Sequence, residues 1–474
     1  GQLFQLCHTY EASFMQYITI NDYLLLPIYL FLVFIIAAYY RNKYYPHKHP
    51  LRKYFLPAFT VKIIGAIGIG IVYQYYYKGG DTLNYWDHSI TINSALDHSV
   101  GTWFRMLIGT DSRYDPEIFP YASKMLWYGS PSEYIICSIG AFLGIFTLNT
   151  YLPVSVIYAA LSFIGIWKMF VVFTKLYPRL VKQMAISFLF IPSVFFWGSG
   201  FLKDTLTLSA IGWLVHYFYA IFYENKSIAS NSIKAFFFLY LIYVVKSYIV
   251  IAFLPAAVLW GMGLLSYKIK DTRFIVVARY SFYLISIVAL LIIGGKMQTE
   301  LFGEYNIESI AYKSAVTRDY LYRISNEQDG SGYTLGNMDP TLLGMLEMAP
   351  AAVNVTLFRP YPWEARKPIV MMAALQSLIV LFFTIAVIFR NNPLRVVGRI
   401  MVDETLQFCI VFSLLFAFAV GISTSNFGSL DRYKIPCMPF YLAFLFILFN
   451  PPKQELALRK EFQKKRDSTP QAVS

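Results

Sequence analysis

At 474 residues the chain is 57% hydrophobic and 18% aromatic, with only 14% charged residues. Soluble globular proteins carry about 25% charged and about 45–50% apolar residues, so an ordinary soluble domain is excluded. The formal net charge of +13 does not indicate nucleic-acid binding, because Lys and Arg gather in short loops and in the C-terminal tail, where they set membrane topology.

Apolar runs of about 18 or more residues recur along the chain, the mark of a multi-pass membrane protein. Residues 1–22 are too polar for the apolar core of a cleavable signal peptide, and the first long apolar run is expected to serve as an anchor. Spans are predicted near 23–40, 56–76, 152–173, 184–199, 204–223, 233–247, 249–266, 274–294, 368–389, 405–422 and 433–449. The fold class that follows is an all-α integral membrane protein with about eleven transmembrane helices. One polytopic domain covers 1–450 and a basic tail covers 451–474.

Orientation follows from positive charge. "RNKYYPHKHPLRK" (41–53) is short and basic, so it is expected on the cytoplasmic side and the N-terminus outside. "YIICSIGAFLGIFTLNT" (134–150) is apolar enough to cross, but if it crossed, every later basic loop would face outward. Read as an interfacial or re-entrant helix, it leaves "TKLYPRLVK", "SYKIKDTR", "FRNNPLRVVGR" and the tail all inside. Two large outer loops then remain, 77–151 and 295–367, rich in aromatic and turn-forming residues. No internal repeat of the kind that marks many transporters is visible.

Charged residues collect at the outer helix ends. "FFWGSGFLKDT" places Lys203 and Asp204 at a tight turn, with Gly198 and Gly200 expected to permit it and Asp204 able to cap the next helix. A snorkelling lysine beside a capping aspartate is the structural reading of this pair, and a cation gripping an anionic headgroup is the functional one. "YYYKGGDTLNYW" presents Asp81, and "LIYVVKSYIVIAF" holds Lys246 between two spans. "VTLFRPYPWEARKP" brings Arg359, Glu364 and Arg366, and "STSNFGSLDRYKIP" brings Asp431, Arg432 and Lys434. Several cations with a few carboxylates at headgroup level fit a phosphate or diphosphate.

Sugar transfer from a polyprenyl-linked donor suits such a set. Asp81 or Asp204 would take the proton of an acceptor hydroxyl as it attacks the anomeric carbon. Lys203, Lys246, Arg359, Arg366, Arg432 and Lys434 would stabilise the leaving phosphate. Tyr85, Trp86 and Trp363 are candidate stacking platforms for sugar rings, with Trp103, Tyr114 and Trp127 as further aromatics of the 77–151 loop. No metal or other cofactor is expected. The expected partners are the lipid-linked donor, a glycan or lipid-linked acceptor, and membrane lipids.

"GGDTLNYW", "FIPSVFFWGSGFLKD", "LFRPYPWEA" and "NFGSLDRYKIPCMPF" resemble motifs of multi-pass polysaccharide polymerases of the Wzy and EpsG type and of related GT-C-like membrane glycosyltransferases. The resemblance implies a GT-C-like fold acting at the outer face of a bacterial inner membrane in cell-surface polysaccharide synthesis, with a cytoplasmic C-terminus. It implies that Asp81 stands for the acidic residue of the first large outer loop and Arg432 for the arginine before the final span. Lys203 and Arg359 become candidate diphosphate ligands. In GT-C enzymes that acid follows the first span, whereas Asp81 follows the second. The chain has no Asp-x-Asp pairing in this region, in keeping with metal-free transfer.

Other signals point elsewhere. Asp87/His88 and Asp97/His98 repeat at a spacing of ten, which leaves the pairs about 80° apart on a helix rather than convergent on a metal. His216 lies in an apolar run and reads as a packing residue. Cys7, Cys137, Cys409 and Cys437 share no close spacing and read as small hydrophobes. Asn354-Val355-Thr356 fits a glycosylation acceptor by pattern alone. A transporter or flippase of lipid-linked sugars is the alternative, and it requires charges along a path through the bilayer midplane, where Lys62 and Lys168 are the few present. A non-catalytic scaffold of an envelope assembly machine is the third reading.

Overall fold

The computed structural model describes residues 16–266, 316, 322–323, 331–336, 339 and 341–450, with the side chains of 264–266 and 342 outside that description. The expected span 274–294, most of the 295–367 loop before 341, and the tail 451–474 lie outside the described residues. Among the described residues the structure is helical, apart from an isolated antiparallel bridge between Gly332 and Asn426.

Seven described helices are long and apolar enough to cross a membrane: Ile20–Tyr44, Arg52–Tyr77, Tyr151–Leu176, Lys203–Phe222, Ile228–Gly263, Pro368–Arg390 and Glu404–Ser423. Phe427–Tyr433 and Met438–Phe449, bent by 67°, make an eighth if they form one broken span. The chain divides into two compact units, Gly1–Ile164 with Phe195–Leu206 and Gly165–Val194 with Thr207–Ser474.

In the first unit, α1 (Ile20–Tyr44) and α2 (Arg52–Ile71) form a hairpin, and α2 runs on through a wide π turn, Val72–Tyr77. Gly79 and Gly80 take positive φ (153° and 116°), a backbone open to glycine, and end the turn. From there α3 (Asp81–Ser94), α4 (Val100–Ile108), α5 (Phe119–Ala122) and α6 (Pro131–Phe146) follow. The 77–151 segment, expected as an outer loop, is thus largely helical. α6 has 16 residues and rises about 24 Å, short of the roughly 30 Å apolar layer. It packs on α3 through small and polar groups: Ser89 Oγ donates to Cys137 O at 2.9 Å and Asn93 Nδ2 to Ala141 O at 2.8 Å.

α7 (Tyr151–Leu176) begins in the first unit, where Asp22 Oδ1 accepts from Leu152 N at 2.8 Å while its Oδ2 accepts from Thr19 N and Oγ1. One buried carboxylate thereby ties the starts of α1 and α7. The run 184–199 is not a continuous helix. It breaks into α8 (Val181–Leu189) and α9 (Pro192–Trp197), because the residue before a proline disfavours helical backbone.

α10 (Lys203–Phe222) reaches into the second unit, where α11 (Ile228–Ser266) follows. Lys246 has non-helical backbone angles (φ −152°, ψ 81°) in the middle of α11. Phe238 stacks on Trp213 and Tyr217, and Lys234 lies over Tyr217. Beyond Lys246, Phe253 meets Phe218, and Gly261 packs on Phe222. A straight helix would separate residues 234 and 261 by about 40 Å, too far for contacts with Tyr217 and Phe222, one and a half turns apart. The chain therefore bends back at Lys246.

Also in this unit are α12 (Leu342–Glu347), α13 (Ala349–Phe358), α14 (Pro368–Arg390), α15 (Pro393–Val402), α16 (Glu404–Ser423), α17 (Phe427–Tyr433) and α18 (Met438–Phe449). Phe440 of α18 meets Phe173, Phe188, Phe408 and Phe412 at 5.1–5.9 Å between ring centres and forms the middle of the core. Gly421 lets α16 lie against the backbone of α13 at Ala352, where a side chain would collide. Beside it, Thr356 Oγ1 donates to Ala417 O at 2.8 Å.

Candidate functional site

The structure places the sequence candidates in two groups, one in each unit. The first surrounds the 198–204 turn. Gly198 and Gly200 do not adopt positive φ. The need for glycine at 200 is close packing, since a Cβ there would run into Ile69. Lys62, buried in α2, donates to Gly198 O, while Tyr158 Oη donates to Leu202 O at 3.0 Å and Thr205 Oγ1 to Gly200 O at 2.6 Å. The mid-span lysine is thus a brace for this turn.

Lys203 Nζ lies 2.5 Å from Glu133 Oε1 at the start of α6, with both side chains largely buried. Ser130 and Ser132 also donate to Glu133. Burial pushes the Glu133 carboxyl up, but the hydrogen bonds from Lys203, Ser130 and Ser132 outweigh it and hold it below its usual value of 4.5. Asp204, expected as a proton acceptor, has no exposed surface, which denies an acceptor hydroxyl direct access to it. Asp81 occupies the first turn of α3 and is half-buried.

Tyr85 and Trp86, expected as stacking platforms, are buried. Tyr85 packs on Trp127 and Trp86 on Tyr151, so neither offers a free ring face. The buried residues of α3 recur every three or four positions (Thr82, Tyr85, Trp86, Ser89, Asn93), and the two aromatics fall on this one inner face. Trp103 Nε1 donates to Asn93, and Tyr114 is exposed against Phe119. His88 is a brace: its Nε2 accepts from Leu126 N at 3.0 Å. Arg105 binds Asp111, Asp115 and Glu117 at 3.0, 2.7 and 2.8 Å and so orders the 109–118 loop; the bond from Arg105 holds Asp115 below the usual carboxylate range.

The second group surrounds α17. Asn426 Oδ1 caps this helix by accepting from Gly428 N at 2.8 Å and Ser429 N at 3.2 Å. Tyr333 N donates to Ser425 O and Phe427 N to Ser331 O, both at 2.9 Å, so the 331–336 segment is laced to the start of α17. Lys434 is fully buried. Its Nζ lies 3.3 Å from Asp431 and donates to Ser377 Oγ at 3.0 Å and to Arg359 O at 3.4 Å. Lys246, at the vertex of α11, and Arg432 are also buried, and both lie over the Tyr433 ring at 4.8 and 5.4 Å.

Arg359 joins the same group with a different environment. It donates to both oxygens of Glu364, whose Oε2 also accepts from Tyr361 N at 2.8 Å. Its guanidinium is 5.4 Å from the rings of both Tyr333 and Phe427, which stack on each other. Among the described residues, Lys246, Arg359, Arg432 and Lys434 gather with Glu364 and Asp431 around one seven-residue helix. Arg366 is exposed, and Trp363 is 79% exposed and stacked on Tyr361.

Two structurally central residues, Asp22 and Glu133, are absent from the sequence candidates. "SPSE" at 130–133 carries a signal for the second, a helix start with an acid in its first turn. Lys168, the other mid-span cation, lies over Trp213 at 5.8 Å. Among the described residues no three His, Cys, Asp or Glu side chains come together as a metal cage. Compared with family models, curated proteins and solved structures, the chain matches none.

Proposed function

We propose that this chain is a membrane glycosyltransferase or polysaccharide polymerase that takes its sugar from a polyprenyl-(di)phosphate donor, as the Wzy and EpsG resemblance implies. In this reading the fold is GT-C-like, the spans number about eleven, and the site faces outward from a bacterial inner membrane. The observation that carries it is the gathering of Lys246, Arg359, Arg432 and Lys434 around α17. Lys246, Arg432 and Lys434 are buried and Arg359 is half-buried beside them, where the chain bends by 67° between α17 and α18, a setting suited to a phosphate ester at headgroup depth.

Roles differ within the set. Lys246 and Arg432 are the ligands assigned to the donor phosphate; Arg359 is committed to Glu364 and two aromatic faces, and Lys434, fully buried, to Asp431, Ser377 and the Arg359 carbonyl. Arg359 positions the 359–366 loop, with Arg366 and Trp363 on its exposed side. The acceptor hydroxyl would attack the anomeric carbon, the bond from that carbon to the phosphate oxygen would break, and the cations would hold the charge that develops there. Asp81 keeps only the acidic-residue role that the resemblance implies; in its own unit Lys203 is held on Glu133 and Asp204 supports the turn.

The test is mass spectrometry of lipid-linked glycans from a strain lacking the gene, complemented at matched protein levels. Wild type should restore the profile. Arg432→Ala and Lys246→Ala should leave donor or repeat-unit lipids accumulated by tenfold or more, and Asp81→Asn likewise. A normal profile in all three variants removes the site, and an unchanged profile in the deletion removes the enzymatic reading.

A further inference from the structure

We propose that α15 lies in the headgroup layer of a bilayer leaflet and binds anionic lipid there. Its position is set by its neighbours: α14 ends at Arg390 and α16 starts at Glu404, so α15 fills a short connection between two helices of spanning length. Asn392 caps it by accepting from Leu394 N at 2.9 Å, and Asp403 caps α16 by accepting from Thr405 N at 2.9 Å and Leu406 N at 3.1 Å. No slack remains at either end to carry the helix far from the membrane boundary.

Its rotation is fixed as well. Arg399 reaches across to the last turn of α18 and donates to Leu448 O at 2.6 Å and Ile447 O at 2.7 Å. These bonds turn Val396, Arg399 and Ile400 inward, where they are half-buried. The opposite face then points away from the protein, and it is apolar. Leu394, Val397 and Met401, at i, i+3 and i+7, are 82%, 50% and 59% exposed. In water such a face would be unfavourable, whereas at the boundary of the acyl chains it is buried. The preceding helix α14 likewise exposes apolar side chains, Ile379, Phe382 and Phe389.

Charge selects the kind of lipid. Residues 390–402 contain Arg390, Arg395 and Arg399 and no Asp or Glu. Arg390 lies over Phe449 at 4.2 Å, and Arg395 is exposed at the margin of the apolar face, where a long side chain reaches the headgroups. An anionic phospholipid matches this edge. The inference does not depend on the glycosyltransferase reading.

The experiment uses the full chain in nanodiscs, its own cysteines replaced by alanine, with a spin label at Val397→Cys or Met401→Cys. Labels in the acyl boundary collide with dissolved oxygen more than with a water-soluble nickel complex, the expected result. The reverse preference places α15 in water, and shielding from both reagents places a protein surface on it; each overturns the proposal. Lipid selectivity is read from the thermal midpoint of the unlabelled chain in zwitterionic nanodiscs and in nanodiscs containing phosphatidylglycerol. Wild type should gain several degrees with the anionic lipid, and Arg395→Glu should lose most of that gain. Equal midpoints for wild type in the two lipids overturn the anionic preference.

Discussion

A single carboxylate decides how the 198–204 turn is presented. Glu133 receives Lys203 and two serine hydroxyls, and its proton affinity in the fold is lower than in the unfolded chain. The sign of the consequence follows by linkage. A depressed carboxyl contributes stability above its unfolded value near 4.5, and that contribution disappears as pH falls through the lower folded value. Thermal unfolding in detergent should therefore show a midpoint that drops between about pH 5 and pH 3, with Glu133→Gln removing part of this slope. At neutral pH, Lys203→Ala should destabilise the protein by about 1–3 kcal/mol, since it leaves a largely buried carboxylate short of a partner. A wild-type pH slope identical to that of Glu133→Gln would show that the pair contributes nothing. The Lys-Asp dipeptide was visible in the sequence at once, but its partner is 70 residues away. Pairing across that separation depends on how α6 packs, and no local pattern reports it.

At the scale of elements, the apolar runs were legible and their interruptions only partly so. Apolar length marks where a helix fits the bilayer, and α1, α2, α7, α10, α14 and α16 lie on expected spans. The break between α8 and α9 has a local cause, Pro192, that an unbroken hydropathy run conceals. The burial of Tyr85 and Trp86 was not legible either, since which face of α3 turns inward depends on the partners Ser89 and Asn93 find on α6. The bend in α11 has no glycine or proline at its vertex, only Lys246 over the Tyr433 ring. Its existence is testable by distance. Spin labels at Lys234→Cys and Met262→Cys would be about 40 Å apart on a straight helix. Dipolar spectroscopy should instead read about half that or less. A separation near 40 Å would straighten α11 and remove Lys246 from the vertex.

For the molecule as a whole, the question is which end of the second unit faces which compartment. Tyr177 Oη donates to both oxygens of Asp403 at 3.0 Å, and Lys175 Nζ pairs with Glu224 at 2.6 Å. The basic segments 174–182 and 390–399 and the 223–227 connection therefore share one end of this unit. α16 then rises about 30 Å from Glu404 to Ser423, roughly the thickness of the apolar layer, and delivers α17 with its cations to the other end. The 359–366 loop goes with it through the contacts of Arg359 and Lys434. Short basic loops stay on the cytoplasmic side, so the proposed topology puts Lys182 and Asn392 inside and Trp363 outside. Single cysteines at these three positions, on a cysteine-free background, should separate cleanly with a membrane-impermeant thiol reagent. In intact cells Trp363→Cys should react and the other two only after permeabilisation. Reaction of Lys182→Cys and Asn392→Cys from outside, with Trp363→Cys protected, would invert the unit and put the α17 cations on the cytoplasmic side. A donor site there would have to draw on lipid-linked sugars before they cross the membrane, and the outward-facing polymerase reading would give way to an inner-leaflet transferase.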